Sequence, residues 1–450
     1  MKDDFADLSK KMAKLENENY LLKSENQILK KKMSAKRYKV IDSVVDFWYR
    51  SRKKSLERLS QKIEQKKKKK GAEREIKTGR VDIVNINFYD WDGKEVFKGG
   101  AERYVYDLAC LLKEMGLKPR ILQCSNKFFK KRFNGIEVIG IGSGSRDNTA
   151  DNSAMFNYYC KDCEFVIASP LDLACEIKDV PVIGINHGIN FDGTWNMYKG
   201  NLAGVYDERM KALKNVSSCV CVDTNFINWT RTLDYKYSLK EKFIPNYYDE
   251  KQFKVRKTKQ KDGQVVFVYP RRIYEARGYD ITIEAFRNVF VKYGDKVRLE
   301  FVGQIDNEKA DSDLKAFMAE FPKNVSHAEY NMEEMTNAYK DADVVLIPTK
   351  YCEGTSLSCI EGMVSGAAVV ATNVGGLPNL IIDGFNGMLV EPTAESLEAA
   401  VVELIKNPKM REKIAENGKM VAREAFGKKR WQEKWKKEIE RIRKVVKEGV

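Results

Sequence analysis

Long hydrophobic runs are missing from this 450-residue sequence. No stretch approaches the roughly 18 consecutive apolar residues that a membrane-spanning helix needs. The start, MKDDFADLSKK, is charged and has no apolar run behind it, so the pattern of a secretory signal is absent. We therefore expect a cytoplasmic protein. Peripheral association with the inner face of the cell membrane is an option that depends on a basic segment described below.

Paired cysteine motifs are equally scarce. The nine cysteines include several inside apolar, strand-like runs, such as Cys219 and Cys221 in SSCVCVD, which favours reduced core thiols over disulfides. Cys160 and Cys163 form a lone C-x-x-C, and one such pair supplies only half of a zinc site. The cysteines therefore favour neither a disulfide framework nor a metal centre.

Excess positive charge is confined to one end of the chain. The formal net charge is +15. Residues 1–80 carry 25 Lys and Arg against 12 Asp and Glu, whereas the other 370 residues carry 55 against 53. The basic character therefore belongs to an N-terminal arm and not to the globular body.

The first 34 residues show a seven-residue apolar repeat. Leucines occupy the d positions, asparagines occupy two a positions, and the flanking g and e′ residues have opposite charge, a pattern that favours a parallel dimer. An amphipathic helix lying on its own globular domain would not require that charge complementarity. We expect a parallel coiled coil over 1–34 that forms a homodimer through residues 5–33. The repeat places Leu8, Leu15, Leu22 and Leu29 at d and Phe5, Met12, Asn19, Asn26 and Met33 at a.

Residues 35–79 form a basic segment with two interpretations. Apolar residues recur at helical spacing from Ile41 to Ile63, with Lys and Arg on the other side and five lysines at 66–70. Such a helix suits an anionic membrane surface, through residues 36–70, or serves as a solvated spacer. In DNA-binding zipper proteins the basic helix precedes the zipper, whereas here it follows, so we expect no nucleic-acid partner.

From residue 80 onward, short β-branched runs alternate with amphipathic helices. This pattern predicts two α/β halves, each with a parallel sheet covered on both faces. We expect Rossmann-like domains over 80–245 and 264–427, a linker over 246–263, and a C-terminal helix over 428–450 that packs back on the first domain. The predicted strands are 81–88, 119–124, 165–170, 181–187 and 218–223, then 265–270, 297–303, 343–349, 367–372 and 387–392.

Residues at the carboxyl ends of such strands are candidates for ligand binding. Gly99 and Gly100 open a helix after the first strand, where glycine lets backbone approach a phosphate, although a plain turn explains them equally well. Arg271, Arg272 and Arg277 follow the first strand of the second half. Three guanidiniums there could neutralise a diphosphate.

The stretch KYCEGTSLSCIEGM, residues 350–363, carries two glutamates. Thr355 and Ser356 can cap a helix, which puts Glu353 in the preceding loop and Glu361 inside the helix. Carboxylates suit vicinal hydroxyls, and the N–H groups of 355–358 suit an anion between them. A capping glutamate beside a solvated one is the alternative on spacing alone.

The second half resembles the retaining glycosyltransferases of family 4, in glycosyltransferase group 1. The matching motifs between 265 and 426 are RRIYEARG, DADVVLIPT, EGTSLSCIEGM and NVGGLPNLIIDGFNGMLVEP. GGAERYVYDLA, INHG and FIPNYYDEKQF extend a looser match over 80–445. The resemblance implies the GT-B fold, in which two Rossmann-like domains face a cleft, here preceded by the coiled coil.

The resemblance also implies roles for the carboxylates and for one histidine. Glu361 would hold the ribose hydroxyls of a donor nucleotide, and Glu353 would contact the transferred sugar. His187 would orient donor or acceptor, whereas His327 matches nothing in the family pattern.

The remaining implied roles concern the donor diphosphate. Arg272 and Arg277 would bind it, with the neighbouring Arg271. Main chain from both halves would assist them. The implied main-chain contacts are at Gly99, Gly100, Thr355, Ser356 and Leu357.

Three positions depart from the family pattern. Arg271 stands where glycine is usual, and Arg277 replaces the usual lysine but keeps its charge. Asn379 stands where the GGxPE motif has glutamate, so that carboxylate is missing here.

The resemblance implies transfer of a sugar from a nucleotide-diphosphate sugar to a glycan or lipid-linked saccharide, with retention of configuration, in cell-surface polysaccharide synthesis. Fixed cations and helix N–H groups would stabilise the leaving diphosphate without a metal or other cofactor. No acidic D-x-D motif lies in a loop suited to a metal. The alternatives are a GT-B nucleotide-sugar epimerase or hydrolase, and a coiled-coil glycan-binding scaffold without catalysis.

Overall fold

The computed structural model describes residues 78–96, 99–143, 148–189, 202–253, 263–330 and 334–448. The coiled coil predicted over 1–34 and the basic segment through residue 77 lie outside these residues. The described chain forms two compact units. The first comprises 78–185, Tyr206–Cys219 and 442–448, and the second comprises residues from Asn186–Val205 and Val220–Arg441.

An eight-stranded sheet is built from the first eight strands, in the order β3-β4-β2-β1-β5-β6-β7-β8. β1 pairs in parallel with β2 and β5, whereas β3 pairs antiparallel with β4. The five strands predicted in this half are confirmed as β1, β2, β5, β6 and β7. The bounds are β1 Arg80–Asn85, β2 Lys118–Gln123, β3 Phe128–Phe133, β4 Ile136–Ile141, β5 Phe165–Ser169, β6 Val182–Asn186, β7 Ser218–Cys221 and β8 Glu241–Phe243.

A hairpin in this sheet was not predicted. β3 and β4 are joined by Asn134 and Gly135, which have φ angles of 46° and 76°. Asn-Gly with two positive φ angles is the signature of a tight type I′ turn, so the signal was present in the sequence. The sequence did not predict β3 as a strand, because this edge strand has no fully buried side chain and therefore no apolar run.

Helices of the first half follow the strands. α1 buries Tyr104, Val105, Leu108, Leu111 and Leu112, which recur at helical spacing. The described helices of this part are α1 Gly100–Glu114, α2 Thr149–Cys160, α3 Leu202–Asn215, α4 Asn225–Leu233 and α5 Tyr235–Ser238.

A six-stranded parallel sheet follows, in the order β11-β10-β9-β12-β13-β14. All five predicted strands of this half are present. β11 was missed because only Val325 in it is fully buried; His327 lies on this strand, 2.9 Å from the carbonyl oxygen of Gly303. The bounds are β9 Val265–Pro270, β10 Val297–Val302, β11 Val325–Ala328, β12 Val344–Ile347, β13 Ala368–Thr372 and β14 Met388–Val390.

Both faces of this sheet are covered by helices. Val265, Phe267 and Tyr269 of β9 enter one hydrophobic cluster, whereas Val266 and Val268 enter another. A strand that is buried on both faces has a continuous apolar sequence. This is why VVFVYP could be predicted to form a strand, which is β9. The described helices here are α6 Tyr279–Tyr293, α7 Glu308–Glu320, α8 Thr336–Lys340, α9 Leu357–Ser365, α10 Ala394–Lys406, α11 Pro408–Ala425 and α12 Lys428–Glu448.

The C-terminal helix and the cysteines agree with the sequence pattern. α12 confirms the predicted C-terminal helix and buries Trp431, Trp435, Ile439 and Ile442, which recur at helical spacing. All nine cysteines are free thiols, and seven of them are buried. In the described part of the chain, no helix is both long and apolar enough to cross a bilayer.

Candidate functional site

Three neighbouring strands of the six-stranded sheet carry the loops of the predicted site. β9, β12 and β13 lie side by side and run parallel. Arg271 follows β9, Thr349 follows β12, and Gly375 comes shortly after β13. The carboxyl ends of parallel strands meet at one edge, so these loops converge there.

Glu353 is at the centre of this group. Its Oε2 atom accepts hydrogen bonds from Nη2 of Arg271, from Nη1 of Arg277 and, at 2.9 Å, from the hydroxyl of Thr349. The Thr349 hydroxyl in turn accepts from Arg271 Nη1. The side chain of Glu353 is 10% exposed, against 7% for Arg271 and 22% for Arg277. Two guanidiniums and one carboxylate in a nearly enclosed place leave an excess of positive charge.

The negative charge of Glu353 is stabilised by these neighbours. Burial acts to raise the pKa of this carboxyl, but the charges of Arg277 and Arg271 and the hydrogen bonds from Arg271 and Thr349 outweigh it. The pKa of Glu353 is therefore held below its ordinary value. At neutral pH Glu353 is an anion that orients two guanidiniums, and it is not a proton donor.

The loop 271–277 is shaped by one tyrosine and one glycine. The buried Tyr269 hydroxyl donates to the carbonyl oxygen of Arg277 at 3.0 Å. Gly278 then leads into α6 with a φ of 77°, and a Cβ there would lie 1.8 Å from the carbonyl oxygen of Pro348. Only glycine fits this left-handed and crowded position. The contact brings the arginine loop against the end of β12.

Arg272 lies apart from this group. Its side chain is 54% exposed, and its Nη1 atom is 3.8 Å from the carboxylate of Asp306. Of the three arginines predicted to bind a diphosphate, Arg271 and Arg277 meet at Glu353, whereas Arg272 faces solvent.

Helix α9 begins at its predicted serine cap. The Ser356 hydroxyl accepts a hydrogen bond from Cys359 N at 3.4 Å, and the helix starts at Leu357. Thr355 is not the cap, because its hydroxyl donates to the carbonyl oxygen of Val222 at 2.7 Å. Thr355 instead ties the start of α9 to the loop after β7.

Glu361 lies inside α9 and is 4% exposed. Its Oε2 atom accepts a hydrogen bond of 2.9 Å from the hydroxyl of Tyr339, which comes from α8 and is 1% exposed. Phe253 packs against the Tyr339 ring at 5.7 Å between centroids. A neutral donor from another helix therefore holds this carboxylate.

His187 follows β6 and lies beside the loop that carries Glu353. A Cβ on Gly354 would be 2.7 Å from the carbonyl oxygen of His187. Burial lowers the pKa of His187 to about 4, so its ring is neutral at pH 7. A neutral imidazole offers one hydrogen-bond donor and one acceptor, but no positive charge.

Gly99 and Gly100 belong to the first unit. Gly99 precedes α1 with an extended backbone, φ −124° and ψ 166°, and its carbonyl oxygen accepts from Arg103 N at 3.1 Å. This is the geometry of an ordinary helix start, so the phosphate-binding role of both glycines stays a prediction. The predicted site residues in the second unit are His187, Arg271, Arg272, Arg277, Glu353, Thr355, Ser356, Leu357 and Glu361.

Three residues of the site were not predicted. Thr349 and Tyr339 hydrogen-bond to the two glutamates, and the buried Asp223 packs near Glu353. Threonine, tyrosine and a single aspartate are common residues, and they stand out here through contacts made across the fold. Position at a strand end was an available signal for two of them, since Thr349 ends DVVLIPT and Asp223 ends SSCVCVD.

Among the described residues, no three His, Cys, Asp or Glu side chains are grouped as a metal site requires. Asp90 and Asp92 have D-x-D spacing in a loop, and the expectation that no such motif is suited to a metal stays a prediction. Both carboxylate oxygens of Asp90 already accept main-chain hydrogen bonds, from Lys94 N at 2.7 Å and Glu95 N at 3.1 Å.

The segment that carries most of this site is similar to a known family. Residues 250–421 match the family model described as "Glycosyl transferases group 1". The match covers less than half of the chain. An uncharacterized glycosyltransferase of Methanocaldococcus jannaschii is 29% identical over 177 residues, covering 38% of this chain and 45% of that protein. The chain therefore matches about half the length of this relative.

Two solved structures are similar to this chain over about four fifths of its length. Sucrose-phosphate synthase from Thermosynechococcus elongatus aligns with a TM-score of 0.66 and 15% identity, over 81% of this chain and 98% of its own. HepE from Anabaena, solved in complex with UDP-glucose, aligns with a TM-score of 0.60 and 15% identity, over 82% and 98%. At such identities the likeness shows the fold alone. The predicted α/β, GT-B-like fold with two Rossmann-like sheets is confirmed.

Proposed function

We propose that this protein is a retaining glycosyltransferase of family 4, of the hexosyltransferase type, that uses a nucleotide-diphosphate sugar as donor. The observation that carries the proposal is the group formed by Glu353, Arg271 and Arg277 next to the start of α9, which also contains Glu361. The match of residues 250–421 to the group 1 family model supports the reaction class, and the UDP-glucose bound by HepE supports the donor class.

We propose that arginine side chains and the start of helix α9 stabilise the negative charge of the diphosphate. Glu353 holds Arg271 and Arg277 in fixed orientations, so they need little rearrangement when negative charge develops on the leaving group. The N–H groups at the start of α9, from Ser356 to Leu357, add donors and the positive end of the helix dipole. The proposed reaction therefore assigns no step to a metal or cofactor.

In this proposal, the two carboxylates and His187 form hydrogen bonds with the hydroxyl groups of the donor. The three donors to Glu353 in the described part of the chain bind Oε2, and we propose that Oε1 accepts from a hydroxyl of the transferred sugar. Glu361, oriented by Tyr339, accepts from the ribose hydroxyls. The neutral ring of His187 completes the sugar side with one further hydrogen bond.

The chemical step needs no protein nucleophile. The bond between the sugar and the diphosphate oxygen breaks, and the acceptor oxygen forms its bond on the same face of the sugar. The acceptor proton passes to the departing phosphate oxygen. The arginines stabilise the diphosphate as the electron pair moves onto it.

The test is an assay with UDP-, GDP-, ADP- and dTDP-sugars, measured as release of the diphosphate with and without a saccharide acceptor. We expect one nucleotide to be preferred and release to depend on the acceptor. Release without a new glycosidic bond would indicate an epimerase or hydrolase. No release from any donor would contradict catalysis and support a glycan-binding scaffold.

A matched pair of variants tests the site assignment in the same assay. Glu361→Ala is expected to abolish release, because the donor loses its ribose contact. Glu320→Ala removes an exposed carboxylate that pairs with Arg287, and should leave release unchanged.

The N-terminal arm enters the proposal through sequence alone, because it lies outside the described residues. We propose that residues 5–33 dimerise the enzyme and that residues 36–70 bring it to an anionic membrane surface on the cytoplasmic side, near a lipid-linked acceptor. A chain without 1–34 should sediment as a monomer. A chain without 1–70 should bind anionic vesicles less than the chain without 1–34.

A further inference from the structure

Asn379 connects two loops that lie next to Glu353. Its Oδ1 atom accepts a hydrogen bond from Thr224 N at 2.9 Å, and its Nδ2 atom donates to Thr224 Oγ1 at 2.8 Å. The two residues are 155 positions apart in sequence. An amide supplies a donor and an acceptor together, which an ionised carboxylate does not.

The segment just before Asn379 supports the main chain of Glu353. Gly376 N donates to the carbonyl oxygen of Glu353 at 2.8 Å. Gly375 has a φ of 58°, and a Cβ on it would lie 2.2 Å from that same oxygen. A shift of Asn379 therefore moves the backbone against which the Glu353 loop rests.

Asp223, the neighbour of Thr224, is a fully buried carboxylate with one unused oxygen. Its Oδ1 atom accepts from Asn225 N at 2.8 Å, whereas Oδ2 has no hydrogen-bond partner among the described residues. A Cβ on Gly376 would lie 2.7 Å from the Cβ of Asp223, and one on Gly188 would lie 3.1 Å from Oδ2. Asp223 is thus packed between two stretches of backbone with no room for a larger group.

Among the described residues, no cation pairs with Asp223. The loop at 353 presents Glu353, to which Arg271 and Arg277 are bound. The segment 375–379 has no titratable side chain, and the residue before Gly188 is the neutral His187. Burial, followed by the charge of Glu353, raises the pKa of Asp223 to about 6 against its main-chain hydrogen bonds. A second carboxylate beside it would add repulsion where charge is already unpaired.

We propose that Asn379 and Thr224 form a clasp that positions Glu353, and that position 379 requires asparagine because Asp223 lies beside it. Both clasp residues act through the main chain and do not touch the substrate, so they are positioning residues. The inference rests on the proposed function, which gives Glu353 its role.

The test begins with Asn379→Asp, which removes the donated hydrogen bond and adds negative charge at nearly constant volume. We expect kcat at pH 8 to fall by about tenfold or more, with a smaller loss near pH 5.5, where Asp223 is largely protonated. Adding Asp223→Asn should restore most of the lost kcat and flatten the pH profile. Asn417→Asp, which removes an exposed bond to the Phe385 carbonyl, is the matched control and should behave as wild type.

Failure of the clasp and failure of the proposed function give different results in these experiments. Wild-type kcat and pH profile in Asn379→Asp would overturn the clasp, as would a folded double variant in which Asp223→Asn restores nothing. If the wild-type chain releases diphosphate from no donor, the proposed function fails. The clasp is then decided by thermal unfolding, since Asn379→Asp should lower Tm at pH 8 by more in the wild-type background than in the Asp223→Asn background. Equal losses of Tm in the two backgrounds would overturn it.

Discussion

Glu353 and Glu361 come from one short stretch of sequence, but their surroundings differ. Glu353 contacts two guanidiniums that hold its pKa below the ordinary value. Glu361 accepts a hydrogen bond from the neutral hydroxyl of Tyr339. The first carboxylate balances charge and fixes cations in place, whereas for the second we propose a role in binding the hydroxyls of the donor ribose. Residue type and spacing do not distinguish these two roles, so variants that remove one partner at a time test the comparison.

Glu353→Gln is expected to have the largest effect. It leaves the guanidiniums of Arg271 and Arg277 without their anion, and breaking a buried pair in this way costs about 3–5 kcal/mol. We expect kcat/KM to fall by about 100-fold or more, because these cations lose their orientation. Glu320→Gln, whose pair with Arg287 is exposed, is the control in the same assay. Near-normal turnover in Glu353→Gln would refute the role of Glu353 as an organising anion.

The same carboxyl predicts a pH dependence of stability. Because the pKa of Glu353 is lower in the folded chain than its ordinary value of 4.5, its contribution to the free energy of unfolding is present above that value. The contribution is lost as the pH falls through the folded pKa. Melting curves of wild type and Glu353→Gln should therefore differ at neutral pH and converge in acid. Curves that stay equally far apart at every pH would contradict this account.

Two arginine variants sharpen the comparison. Arg277→Ala removes a partly buried cation, and Arg272→Ala removes an exposed one. Arg277 binds Glu353, and a charged hydrogen bond of this kind contributes about 1.5–3 kcal/mol, so we expect a loss of roughly 10- to 100-fold in kcat/KM. Arg272 is mostly exposed, and its loss should change kcat/KM by no more than about threefold. Equal losses in the two variants would place Arg272 in the site after all.

Asp223→Asn tests the carboxylate that lacks a cation. The pKa of Asp223 is raised from 3.8 to about 6, so the folded chain favours its neutral form and loses stability as the pH rises through that range. At 1.36 kcal/mol per pKa unit, Asp223→Asn should raise the free energy of unfolding by about 2–3 kcal/mol at pH 7.5 and by little below pH 4. Asp341→Asn, at an exposed position, is the control for urea titrations at both pH values.

Tyr339→Phe should have the smallest effect, because it removes one neutral hydrogen bond. The loss is about 0.5–1.5 kcal/mol, which corresponds to a donor KM raised roughly 2- to 12-fold with kcat nearly unchanged. Tyr279→Phe is the matched control, since it also removes a buried tyrosine's bond to a carboxylate, that of Asp313, away from the site. An equal rise of KM in both variants would show that the effect is not specific to Glu361.

Much of the fold could be predicted from local patterns. Strands buried on both faces, such as β9 and β12, read as apolar runs and were found. β3 has no buried side chain and β11 has only one, so neither strand reads as an apolar run. The site could be predicted only in part, because its contacts join residues that are distant in sequence. The positions of Arg271, Arg277, Glu353 and Glu361 after or near strand ends were visible, but their partners were not.

The sequence by itself determined which elements form and which chemical groups end up at the sheet edge, because periodicity and capping act between residues that are close along the chain. Only the tertiary structure decided the pairing of those groups. It joined Glu353 to Arg271 and Arg277, Glu361 to Tyr339, and Thr224 to Asn379 across 155 residues. Hydrogen bonds and ion pairs depend on distances of a few ångströms. Such distances between remote residues are set when the strands pair and the loops pack.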